Sequence, residues 1–176
     1  MLELRPTSFD HPDAVRLRAE LDRYYVAVYG EGDAHTVGAE VFAPPHGLFV
    51  VGFLDGVPVA CGGWRTVGPD HHPALAPGDA ELMRVFVSAA HRRLGCSRLL
   101  LAELERTAAA AGRTRMVLET GTPQPAAIAL YTATGYVPIS GFGHYRDSPL
   151  TRSYAKRLSS AAPVSSTDRR DSATAR

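Results

Sequence analysis

Three features of the sequence predict an α/β fold. Seven short, apolar and β-prone runs, each bounded by turn residues, read as strands. Between them lie segments whose apolar residues recur on one helical face. Asp55-Gly56 joins two of the runs as a tight hairpin, because both positions tolerate positive φ. Interleaved strands and helices of this length make one domain, over residues 1–158, with six to seven strands and about four helices.

In chain order, residues 2–5 read as a strand and residues 12–28 as a helix. Pro12 suits a first helical turn, Val15, Leu17, Leu21 and Tyr25 fall near one face, and Gly30 ends the helix. Residues 31–45 hold glycines and prolines and read as loop with at most a short helix. Residues 47–54 and 57–64 are the hairpin strands. Gly62 and Gly63 mark a bulge or a close approach of another backbone.

Residues 66–78 form a Pro- and Gly-rich loop carrying Asp70, His71 and His72. Adjacent side chains point apart and no third ligand stands at a suitable spacing, so no metal is expected. Residues 83–87 form a strand, Leu94 opens a long helix with a stripe at Leu94, Leu100, Leu101, Leu104, Ala108 and Ala111, and Gly112 stops it. Residues 116–119 are a strand, 124–134 a helix, 136–139 a strand, 140–149 a loop and 152–158 the last strand. Residues 159–176 are polar, lack aromatic residues and are expected to be disordered.

Composition excludes several function classes. A formal net charge of +1 with no basic stripe gives no general attraction to nucleic acid or to an anionic membrane surface. The apolar runs are too short for a membrane span and no signal-peptide pattern is seen, so the chain is expected in the cytoplasm, as a monomer or homodimer. Cys61 and Cys96 lack metal-ligand spacing and read as buried thiols.

The chemistry concentrates in residues 81–136. A strand feeding a helix through Arg92, Arg93, Leu94, Gly95, Cys96, Ser97 and Arg98 presents free backbone N–H groups at the positive end of the helix dipole. Gly95 lets a ligand approach the backbone, and the two arginines add charge where a pyrophosphate would need it. The same six or seven residues are also compatible with an ordinary basic loop.

Arg92-x-x-Gly95-x-Ser97 resembles the pyrophosphate loop of the GNAT superfamily of acetyl-CoA-dependent N-acetyltransferases. Glu81 four residues before Val85, the sequence Ala127-Ile128-Ala129-Leu130-Tyr131, and Gly135-Tyr136 after it fit the same family. Two positions depart from its pattern: Ser97 stands where Gly or Ala is usual, and Gln124 where Asn is common. The resemblance implies a mixed, mostly antiparallel central sheet flanked by helices, acetyl-CoA as cosubstrate without a metal, and a small-molecule amine as acceptor. It implies that Val85, Phe86 and Val87 pair with the pantetheine arm, that a backbone N–H near Val87 polarises the carbonyl, and that Gln124 lies beside the cofactor.

Acetyl transfer requires a base for the amine, polarisation of the carbonyl and an acid for the departing thiolate. The resemblance gives the first role to Glu81 and the last to Tyr131. Glu119 is the second candidate base, with His35 and His144 behind it. Tyr24, Tyr25, Arg65, Arg84, Phe142 and Tyr145 are candidate walls of the acceptor site, where an arginine fork would suit an acceptor carboxylate. Two other readings stay open: an acyl-CoA-binding regulator without turnover, and a dinucleotide-binding oxidoreductase. The lack of Gly-x-Gly-x-x-Gly after an N-terminal strand counts against the latter.

Overall fold

The computed structural model describes residues 1–33 and 35–159; the tail expected to be disordered lies almost wholly outside them. One sheet of seven strands carries the fold, in the order β1-β2-β3-β4-β5-β7-β6. Its strands are β1 (Glu3–Pro6), β2 (Gly47–Leu54), β3 (Val57–Val67), β4 (Asp79–Val87), β5 (Arg115–Gly121), β6 (Val137–Ile139) and β7 (Thr151–Arg157). Every neighbouring pair is antiparallel except β4 and β5. This is the mixed, mostly antiparallel sheet expected, and a doubly wound dinucleotide fold, which needs a largely parallel sheet, is excluded.

The helices are α1 (Pro12–Tyr29), α2 (Cys96–Ala110) and α3 (Pro125–Ala133). The fourth expected helix is replaced by two short 3₁₀ turns, Ala39–Phe42 and Ala89–His91. α1 starts where His11 Nδ1 accepts a hydrogen bond from the Asp13 amide at 3.2 Å, with Pro12 in the first turn. It ends at Gly30, whose φ of +83° only glycine adopts cheaply.

α2 departs from its predicted start. Leu94 lies in the turn ahead of the helix and is 64% exposed, because Gly95 takes φ +80° as the cap and the helix opens at Cys96. The buried stripe is Cys96, Leu100, Leu101, Leu104 and Ala108; Ala111 lies past the helix end and is exposed. Leu100, Leu101 and Leu104 pack with Val50, Trp64 and Met116 on one face of the sheet, each stabilising by about 2 kcal/mol on burial. Trp64 Nε1 donates to Thr107 Oγ1 at 3.0 Å and ties β3 to α2. α1 covers the opposite face, where Leu17 and Leu21 meet Phe49, Val51, Cys61 and Phe86. Burial pushes the Cys61 thiol up to about 12, and both free cysteines are buried packing groups, Cys96 in the first turn of α2.

The His71 and His72 pair has local work. Each Nδ1 accepts a backbone amide, from Gly68 at 3.3 Å and Ala74 at 3.2 Å, which shapes the loop before β4. No described helix is long and apolar enough to cross a membrane.

Candidate active site

The parallel β4–β5 pairing lasts only three residues, ending at Glu81 opposite Val117. Beyond that point β4 continues along β3 and β5 along β7, so the two strands splay and the edges of Leu82–Val87 and Leu118–Gly121 face an opening. A cavity of about 270 Å³ occupies the split, walled by Leu82, Val85 and Glu119 and closed by Tyr25 and Tyr29 of α1 and Tyr131 of α3.

A bulge sits on the β4 side of this opening. Cys61 faces Phe86 and Gly63 faces Met83, so Gly62 alone opposes both Arg84 and Val85, and Arg84 takes φ +58°. The extra residue reverses which face later side chains reach. Leu82, Val85 and Val87 pack with the α2 core, whereas Met83 and Phe86 pack with the α1 core. Phe86 is 7% exposed, so of the three expected pantetheine contacts it has only its backbone to offer.

Glu81 and Glu119 lie on the same sheet face, since Glu81 is in register with Val117 and Glu119 follows two residues later. Each is held by its cross-strand neighbour. Arg65, opposite Glu81, places Nε and Nη2 each at 2.7 Å from Oε2. Ser153, opposite Glu119, donates its hydroxyl to Oε1 at 3.0 Å, joined there by the amides of Gly143 at 3.0 Å and Phe142 at 3.3 Å. One oxygen of each carboxylate is thus engaged, and among the described residues the other accepts no hydrogen bond.

Tyr131 is 8% exposed, stacks edge-on against Tyr136 at 5.5 Å, and lines the cavity with a hydroxyl that no described group hydrogen-bonds. Burial raises its pKa well above that of a free phenol, so it carries its proton throughout the neutral range. Gln124 also lines the cavity, but its side-chain amide donates to the Tyr29 hydroxyl at 2.7 Å. Its longer reach is used to latch α3 to α1, a partner that spacing in the sequence could not reveal.

The loop before α2 lies outside the cavity wall. The amides of Arg93, Leu94, Gly95, Cys96 and Ser97 donate no hydrogen bond among the described residues, while that of Arg98 is committed to Gly95 O at 3.1 Å. Positive φ at Arg93 and Gly95 curls this run, which leaves five adjacent amides for one anion. Arg92 donates to Val87 O at 3.3 Å and stacks over Tyr24 at 5.1 Å, which places it between β4 and α1.

Several expected acceptor walls have other duties. Arg84 pairs with the Asp33 carboxylate and donates to His35 O at 2.6 Å. Tyr145 donates to Asp33 Oδ1 at 2.8 Å, and the His35 and His144 rings stack at 5.4 Å, so Asp33 and His35 meet the 142–148 loop over the cavity mouth. Phe142 is buried against Val67, Leu75 and Val117 and does not line the cavity. Asp33 and Glu31, which do line it, were not singled out in the sequence: they sit in a loop without periodicity.

The chain matches the Acetyltransferase (GNAT) family over residues 14–136. It is 34% identical over 144 residues to an IAA acetyltransferase of Azospirillum brasilense, covering 82% of this chain and 90% of that one. Among solved structures it is similar to an acyl-CoA N-acyltransferase-type protein from Klebsiella pneumoniae, at 26% identity and a TM-score of 0.72 over 90% of this chain and 98% of that one. It shares the fold of the PaiA N-acetyltransferase of Thermoplasma acidophilum in complex with coenzyme A, at 14% identity and a TM-score of 0.66, covering 89% and 99% of the two chains.

Proposed function

The chain belongs to the GNAT family of acetyltransferases, and we propose that it moves an acetyl group from acetyl-CoA to a primary amine of a small molecule by direct transfer in a ternary complex. The observation that carries this reading is the split between β4 and β5, which brings Glu81, Glu119 and Tyr131 to one cavity.

The residues present fit acetyl-CoA. Five unpaired amides with Arg92 and Arg93 beside them suit a pyrophosphate, and the free β4 edge at Val85–Val87 suits an amide-bearing arm. When bound, acetyl-CoA supplies an activated acyl group and a thiolate leaving group. Ser97, small and partly buried at the start of α2, leaves the turn open.

Glu81 accepts the proton of the attacking amine at its free oxygen, directly or through a water; Arg65 fixes the carboxylate so that this oxygen is presented in one orientation. Glu119 stands on the same face as the second acceptor of that proton. A backbone N–H near Val87 polarises the carbonyl. Tyr131 gives its hydroxyl proton to the sulfur, and because no group among the described residues competes for that hydroxyl, the proton is directed to the cavity.

The test is free-thiol release from acetyl-CoA across a panel of primary amines, with mass spectrometry of the acceptor. Acetylated amine in step with thiol supports the reading. Thiol release without an acetylated product would mean hydrolysis, and no release with any amine would refute transfer.

A further inference from the structure

The walls of the cavity have an unequal charge balance. Glu31, Asp33, Glu81 and Glu119 all line it, and among the described lining residues Arg84 is the one permanent cation. That cation is spent: Arg84 is 11% exposed, ion-paired with Asp33 and bonded to His35 O. Arg65, close by, is spent on Glu81. Turning either guanidinium to an acceptor carboxylate would strip Asp33 or Glu81, both largely buried, of its counter-charge, which costs more than the new contact returns. An arginine fork for an acceptor carboxylate is therefore not available, and both arginines are structural.

Two acids keep uncompensated charge. Glu119 receives hydrogen bonds from neutral donors alone, and Glu31, exposed at the mouth, has no ion pair or hydrogen bond among the described residues. His35 adds no cation at neutral pH, since burial first and Arg65 second lower its pKa. Tyr25 and Tyr29 bring aromatic rings, which attract ammonium groups, to the same wall. The unpartnered hydroxyl of Tyr131, more than nine-tenths buried, marks the reacting end.

The geometry points to an acceptor with a second cationic group beside the amine that is acetylated, and without a carboxylate: a diamine or longer polyamine, its distal ammonium held at the Glu31 side of the mouth. This assignment rests on the acetyl-transfer reading of the same site. Neither the family nor the relatives specify it.

The experiment compares kcat/KM for a four-carbon diamine, the monoamine of equal length and the amino acid with a carboxylate at the far end. The diamine should exceed the monoamine by at least about tenfold, chiefly through KM, with the amino acid poorest and the advantage shrinking as salt rises. In Glu31→Gln, an exposed change that leaves the packing intact, the diamine advantage should fall severalfold. An amino acid used as well as the diamine, or no diamine advantage at all, overturns the assignment; an undiminished advantage in Glu31→Gln overturns the part given to Glu31. If no compound releases thiol, the transfer reading fails instead, and calorimetric titration of the three compounds into the CoA-loaded protein decides the charge reading. Tightest binding by the diamine then upholds it, and equal or absent binding overturns it.

Discussion

Arg65 stands directly opposite Glu81 across the β3–β4 ladder and holds one oxygen of its carboxylate with two nitrogens, both partners largely buried. Such a pair is worth little against an apolar replacement of both groups, but loss of one partner strands the other. Arg65→Met should destabilise the fold by about 3 kcal/mol in urea unfolding, whereas Arg65→Met with Glu81→Leu should recover most of it. Equal stability of the single and double variants would show that the pair is solvent-relaxed.

The two carboxylates can be separated kinetically. Glu81→Gln should lower kcat/KM by about a hundredfold and flatten the acidic limb of its pH profile, with Glu119→Gln costing less. A lost limb in Glu119→Gln alone would move the base to β5. Normal turnover in both would mean that the free amine is taken from solution and that catalysis is mostly positioning.

Tyr131→Phe removes a hydroxyl that bonds no described group, so the unfolding free energy should hold within about 1 kcal/mol while kcat falls about tenfold or more at unchanged acetyl-CoA affinity. A large loss of stability would assign the hydroxyl a structural partner.

Gly143 is the point where an added methyl group would meet Glu119, 2.2 Å from Oε2. Gly143→Ala should displace that carboxylate and reproduce the kinetic defect of Glu119→Gln with a stability cost of about 1–3 kcal/mol. Wild-type kinetics in Gly143→Ala would show that the 142–148 loop gives way instead.

Stability should depend on pH at both ends. Burial raises the pKa of Tyr25, Tyr131 and Tyr136. The unfolded chain therefore releases these protons first, and stability present below pH about 10 is lost as pH rises beyond it. His35 has a lowered pKa, so its contribution holds above pH about 6.5 and is lost as pH falls below it. Melting temperatures across the pH range should show both slopes, the alkaline one reduced in Tyr131→Phe. A flat alkaline arm would contradict the burial of these phenols.

Most strands were legible because their signals are local: Gly47–Leu54 stops at Asp55-Gly56, and the β-branched runs announce themselves. Leu94 misled because a leucine beside a helical stripe is read as part of it, and only the φ of Gly95 shows that the helix begins later. Glu81 and Tyr131 came from the family motif, not from periodicity. Arg65, Arg84 and Gln124 could be listed as polar neighbours of the site, but their partners Glu81, Asp33 and Tyr29 lie 16, 51 and 95 residues away. Which of two arginines is free to bind a ligand is a question of long-range pairing, and local sequence does not encode it.

The bulge at Arg84 makes chain length here a discrete code. Deleting Arg84 would remove the bulge and restore strict alternation with Val85 and Val87 still toward α2 and Phe86 still toward α1, whereas regular pairing at full length would send Val85 and Val87 toward α1 and Phe86 toward α2, exchanging the contents of two hydrophobic compartments. Substitutions along this strand are graded changes, but a residue added or removed outside the bulge inverts the side chains beyond it. Laboratory evolution of acceptor range should accordingly move through side-chain replacement in β4 and through loop-length variation only in residues 31–37 and 142–148, where no alternation exists to be broken.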